Sequence, residues 1–151
     1  MTLEGAVKAA GEAEDKLARR LLILGERHKA DHDVFHLTRT LGRLAASHAD
    51  ELLGRDGDTP DHGGPLHALR EKASELTGSR EPAGALLLRD LTELYLTAEE
   101  ASIRLVIAAQ GAQATRDAEL LGRITRIHTE TLRTVKWLTT RIKQTAPSVL
   151  A

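Results

Sequence analysis

The sequence predicts an all-α protein: one up-down-up-down four-helix bundle over residues 1–151, with a short extra helix in the crossover between helices two and three. Three observations carry that expectation. Four long stretches place apolar residues at alternating steps of three and four, which keeps one face of an α-helix turned toward its neighbours. Two of the joints between these stretches are short, whereas the middle one runs ~30 residues and begins rich in Gly, Asp and Pro. The composition is 41% hydrophobic and 28% charged but only 2% aromatic, so the core must be filled by Leu, Ile, Val and Ala, as helix seams are.

The first helix is expected at about residues 3–29, with its seam at Leu3, Val7, Ala10, Glu14, Leu17, Leu21, Leu24 and His28. Nothing between Gly25 and Leu53 breaks a helix outright, yet one rod over residues 3–53 would be ~75 Å long, far more than the later helices can cover. A turn at Lys29–Asp31 is therefore expected, with Asp31 as N-cap and Asp33 in the first turn against the positive end of the helix dipole. The second helix, 31–53, places Val34, Leu37, Leu41, Leu44, His48 and Leu52 on its seam, and Gly54 closes it in a left-handed conformation.

The run GRDGDTPDHGG over 54–64 reads as a loop, and 65–77 as a short helix with Pro65 in its first turn. The third helix, 83–115, has the most regular stripe: Leu87, Leu91, Leu94, Ala98, Ala101, Leu105, Ala108 and Ala112. Its alanine end invites close approach, and Ala108, Ala109 and Ala112 suggest a second helix there, hence a homodimer. After a turn near Arg116, Asp117 caps a fourth helix over 118–145, with Leu121, Ile124, His128, Thr131, Val135, Leu138 and Ile142 on its seam. Pro147 is expected to end it. Its outer face is basic, with Arg123, Arg126, Arg133, Lys136, Arg141 and Lys143, and reads as a solvated face.

Several function classes are excluded. Without cysteine there is no disulfide, thiol nucleophile or cysteine-type zinc site. A net charge of −1 argues against a general electrostatic grip on nucleic acid or anionic lipid, so neither is an expected partner. Residues 1–10 show no basic region leading into a long apolar run, and no apolar stretch approaches ~20 residues, so the expectation is a cytoplasmic protein without a membrane partner. No Ser/His/Asp order and no glycine-rich phosphate loop is present, which leans against an enzyme.

Polar residues on apolar seams are the informative exceptions, because burying a carboxylate or an imidazole is costly unless it is paired. Counting from the helix ends with antiparallel neighbours, Glu14, His48, Glu99 and the pair His128/Thr131 fall in a common slab. A carboxylate from the first and third helices with a histidine from the second and fourth resembles the metal centre of the ferritin-like bundle superfamily. The runs ERHKADHDVFH and LLLRDLTELYL are similar to small bacterial helical proteins grouped near it. The resemblance implies one transition-metal ion, Fe, Mn or Zn, held by Glu14, His48, Glu99 and His128. The family's Glu-x-x-His pattern reads Ala45 before His48 and Thr125 before His128, so a di-iron centre is not implied.

A second reading needs no metal. The same four residues hydrogen-bond across the core and fix helix register, leaving a non-catalytic protein-interaction or oligomerisation module. A further histidine run, His28, His32 and His36, stands beside Asp31 and Asp33 and offers a surface metal site or an ordinary solvated turn, with the turn preferred. Gln110, Gln113, Arg116 and Asp117 read as end-packing and capping.

Overall fold

A computed structural model of the chain describes residues 1–56 and 82–151. They form four helices, α1 (Leu3–Arg27), α2 (His32–Leu53), α3 (Ala83–Ala114) and α4 (Ala118–Leu150), with no strand among the described residues. The short helix expected at 65–77 lies outside them.

Capping chemistry sets most of the boundaries. Thr2 Oγ1 accepts the Gly5 N–H at 2.9 Å to open α1. The turn expected at Lys29–Asp31 is there: the His28 carbonyl accepts the Asp31 N–H at 2.9 Å, and the Asp31 carboxylate accepts the Val34 N–H at 3.2 Å. Gly54 ends α2 with φ 65, and Asp117 opens α4 by accepting the Leu120 N–H at 3.1 Å. Arg116 reaches φ 59 in the α3–α4 turn, a left-handed conformation that the sequence did not flag at a non-glycine. One boundary differs from expectation. Pro147 lies inside α4, which runs on to Leu150; so near the C-terminus its missing N–H removes one helical hydrogen bond only, and Ala151 N–H closes on the Pro147 carbonyl at 3.1 Å.

Contacting pairs give the helix directions. Gly11 lies against Leu53 and Gly25 against Thr38, so α1 and α2 are antiparallel. Lys16 bonds Glu100 and Arg27 bonds Asp90, so α1 and α3 are too. Ser102 meets His128 and Gly84 meets Val149 across α3 and α4, while Glu51–Arg126 and Asp31–Arg141 join α2 to α4. Hence α2 and α3 run the same way. The order these contacts give is up-down-down-up, in place of the expected alternation. Antiparallel succession is forced only by short turns, and the connection from Gly54 to Pro82 is long enough to return the chain along the ~48 Å of α3.

The buried faces follow the helix periods, but the seam is turned on α2 and also shifted on α4, where Ile127 and Thr134 are buried while Leu121, Val135 and Ile142 are half-buried. All eight residues of the expected α3 stripe are buried, Ala108 and Ala112 among them. Those alanines pack inside the fold against Ala6, Ala10, Ile124 and Ile127, so they offer no outer surface to a second chain. On α2 the buried residues are Val34, Thr38, Gly42, Ala45, His48 and Ala49; the seam is turned away from Leu37, which is exposed, and from Leu41 and Leu44. This small-residue face lets α1 and α2 come close. A Cβ built on Gly25 would fall 2.2 Å from Thr38 Oγ1.

The apolar core divides into two clusters. One gathers around Leu17, Leu21, Leu91, Leu94 and Leu138; the other joins Ala6, Ala10, Leu105, Ile124 and Ile127. The break falls at Glu14 on α1, Ser102 on α3 and Thr131 on α4, with His48 reaching in from α2. A polar layer therefore crosses the middle of the core.

Candidate functional site

Glu14 is the centre of that layer. It sits between Ala10 and Leu17 on the buried face of α1 and has 0% solvent exposure. Thr131 Oγ1 donates to its Oε1 at 2.5 Å, and His48 Nδ1 lies 3.4 Å from its Oε2. The other ring nitrogen of His48, Nε2, is 2.5 Å from Glu130 Oε2 on α4. Glu130 is 25% exposed and stands 3.8 Å from Arg126, which forms a two-oxygen bond with Glu51. A row of alternating charges thus runs from the buried core to the surface: Glu14, His48, Glu130, Arg126, Glu51. Carboxylates at both ring nitrogens favour the doubly protonated imidazolium, which donates to each. Burial alone would lower the His48 pKa, but the hydrogen bonds and charges of Glu14 and Glu130 outweigh it, and the net shift is upward.

A second polar group closes one end of the core. His28 Nε2 lies 2.7 Å from Asp90 Oδ2, and Arg27 donates to both oxygens of Asp90 at 2.9 and 3.0 Å. Burial would raise the Asp90 carboxyl, but His28 and Arg27 hold it below the ordinary aspartate value. Nearby, Arg141 bonds Asp31 at 2.5 Å, tying α4 to the α1–α2 turn.

The residues expected to form one site are placed as follows. Glu14 and His48 meet. His128 is at the same level but on the α3–α4 seam, with Nε2 2.9 Å from Ser102 Oγ. Glu99 is half-buried on α3 and pairs with Tyr95 one turn earlier, raising that phenol's pKa. The four do not converge. The third partner of His48 is Glu130, next to the seam residue Thr131; nothing in the periodicity singled it out, since a residue one step off a seam reads as surface. The donor set does not suit one ion, because Glu14 and Glu130 occupy opposite nitrogens of the imidazole. Among the described residues no three His, Asp or Glu side chains gather as a metal would need. The histidine run separates as well: His28 is committed to Asp90, while His32 and His36 stack on the exposed start of α2 with ring centroids 5.9 Å apart.

One further surface stands out. α3 also carries apolar side chains on its outer side, interspersed with Arg89, Glu99 and Glu100. Opposite its buried stripe it exposes Leu96 (63%), Ile103 (55%), Ile107 (41%) and Val106 (36%), and α4 adds Leu132 (45%) beside them. At roughly 150–200 Å² for a fully exposed aliphatic residue these fractions amount to about 400 Å², a size at which patches on soluble proteins commonly mark a binding surface. No described helix is long and apolar enough to cross a membrane.

Comparison of the chain with protein-family models, with curated proteins and with solved structures returned no match.

Proposed function

We propose that this chain is a non-catalytic protein-interaction module of ferritin-like architecture, acting in the cytoplasm, whose working surface is the outer face of α3. The observation that carries the reading is the exposed apolar row Leu96, Ile103, Val106 and Ile107 on a helix already buried on its other side. The polar layer supports the same reading from within. The acceptors and donors of Glu14 and His48 are engaged by one another and by Thr131 and Glu130, so the layer sets register between α1, α2 and α4 and leaves no group aimed at a ligand. The ferritin-like part of the reading rests on connectivity, since two antiparallel pairs joined by one long crossover is how such folds are wired.

The test uses the wild-type chain and an Ile103→Lys/Ile107→Lys variant as affinity baits in extract of the native cell. An associated protein, a second copy of the chain included, should be retained by the wild type and lost by the variant. Urea unfolding of the two should agree within about 0.5 kcal/mol, as for ordinary surface substitutions. Equal recovery on both baits would overturn the proposal.

The connectivity also favours a second reading, in which the bundle holds one Fe, Mn or Zn ion at His48 after one carboxylate swings away. Stoichiometric metal in untagged protein, lost with His48, is its requirement.

A further inference from the structure

Of the described histidines, His28 is held by Asp90, His48 by Glu14 and Glu130, and His128 by Ser102. His32 and His36 have each other. Both are exposed on the first turns of α2, and their rings stack with centroids 5.9 Å apart and planes at 23°. A spacing of four residues sets them one turn apart on one helix face. The backbone that carries them is fixed on both sides: Asp31 caps the helix through the Val34 N–H and is tied to Arg141 of α4. The His36 ring also meets the edge of Phe35, centroid to centroid 5.4 Å at 68°.

We infer that His32 and His36 form an open two-histidine chelate on the surface of α2 for a borderline divalent cation of the Zn²⁺, Ni²⁺ and Cu²⁺ class. With metal–nitrogen bonds of ~2.0–2.1 Å, an ion lies ~3.2 Å from the centroid of each ring that binds it, and a tetrahedral angle between the bonds sets the centroids ~5.2 Å apart. From the 5.9 Å of the stacked pair the rings need to close by ~0.7 Å, which small side-chain rotations supply on a fixed backbone. Imidazole nitrogen suits these ions, whereas Mg²⁺ and Ca²⁺ take oxygen donors.

The surrounding charges neither gather nor expel a cation strongly. Asp33 stands three residues before His36 and brings negative charge to the same face, and with Asp31 it offsets the positive end of the helix dipole. Lys29 in the preceding turn and Arg39 one turn beyond His36 bring positive charge, the Arg39 guanidinium being drawn over the Phe35 ring at 5.2 Å. Binding therefore rests on the two coordinate bonds. Among the described residues no third His, Asp or Glu gathers with the pair, so the ion keeps water in its remaining positions. Such an ion exchanges with solvent and is lost in metal-free buffer. The site is thus separate from the core layer and adds nothing to the metal that purifies with the chain.

The test is calorimetric titration of ZnCl₂ into the full, untagged chain in a buffer that does not bind metal. The wild type should take up one equivalent with a dissociation constant of about 30 μM, and MgCl₂ should give no heat of binding. His36→Ala should weaken the Zn²⁺ affinity by at least ~10-fold. His36→Ala/Leu37→His keeps the seven histidines of the chain but sets the two in question ~140° apart around α2. It should bind no better than His36→Ala, which separates chelation from histidine content. All these changes replace exposed side chains, so the fold is kept and a loss reads the chelate. In thermal unfolding, ~1 mM ZnCl₂ should raise the Tm of the wild type by about 3 °C or more and leave both variants unmoved. No Zn²⁺ uptake by the wild type, equal uptake by His36→Ala, or full affinity in the relocated variant would each overturn the inference.

Discussion

Replacing His48 by alanine is the perturbation that separates a paired polar layer from an incidental one. Glu14 has no solvent exposure and would keep only Thr131 as partner; Glu130, 25% exposed, keeps water and Arg126. The cost therefore falls almost wholly on Glu14. Removing one partner of a buried ion pair costs ~3–5 kcal/mol, a large part of a ~5–15 kcal/mol total stability. For a domain of 151 residues that is a fall in Tm of about 10 °C or more. Urea unfolding followed by circular dichroism at pH 6 reads it, with an unchanged m-value showing that the ensemble stays two-state. Glu14→Gln in the His48→Ala background should recover part of the loss, because a neutral amide is cheaper to bury than a carboxylate.

The pH dependence carries the same logic. With the folded pKa of His48 above the ordinary 6.5, its contribution is fully present below pH 6.5 and is lost as pH rises through the folded value. Wild-type stability should fall over that alkaline interval, and His48→Ala should lack the fall. A loss under about 1 kcal/mol, or an identical pH profile in the variant, would refute the pairing.

Gly25→Ala should destabilise by ~1–3 kcal/mol, measured by urea unfolding, although alanine is the better helix former. The new methyl meets Thr38 Oγ1, which is itself held by the Val34 carbonyl at 2.7 Å. Asp90→Asn should cost ~2–4 kcal/mol at neutral pH by leaving Arg27 and His28 against a neutral side chain. Because the Asp90 pKa is lowered, its contribution is present above about pH 3.8 and lost as pH falls through the folded value; acid unfolding should shift accordingly, and the variant should lack that component. Arg116→Gly should raise Tm, by relieving about 1 kcal/mol of left-handed strain at φ 59.

What could be read from sequence follows from what helical periodicity encodes. A period fixes that a face exists and, where the stripe is continuous and long, where its centre lies: every residue of the α3 stripe from Leu87 to Ala112 is buried. Caps were equally legible, since Asp31, Gly54 and Asp117 each do local chemistry. On α2 the apolar residues were the misleading signal. Leu37 is large and exposed, whereas Thr38, Gly42 and Ala45 are buried because close packing on α1 rewards small residues over hydrophobic ones. A rotation of one residue is 100°, enough to move a side chain from a seam to a neighbouring helix.

That is also why the polar site was half legible. Glu14 and His48 sit squarely on their faces, but the choice between Glu99 and Glu130 depends on which helix stands beside α2. With α2 against α4 and none of its contacts on α3, His48 reaches Glu130, while Glu99 turns to Tyr95. That placement follows from where α3 stands relative to α1 and α2, about which local periodicity says nothing. The outer α3 row was present in the spacing Leu96, Ile103, Ile107, yet a second stripe has meaning only once the first is known to be covered.

On the proposed reading, the polar layer is complete in itself and function lies on the outer face of α3. Metal content tests it most directly: elemental analysis of chain purified without chelator or histidine tag, beside the His48→Ala variant. The self-contained layer predicts no stoichiometric Fe, Mn or Zn in either protein. One equivalent of metal in the wild type, lost in the variant, would contradict it and return the working site to the core.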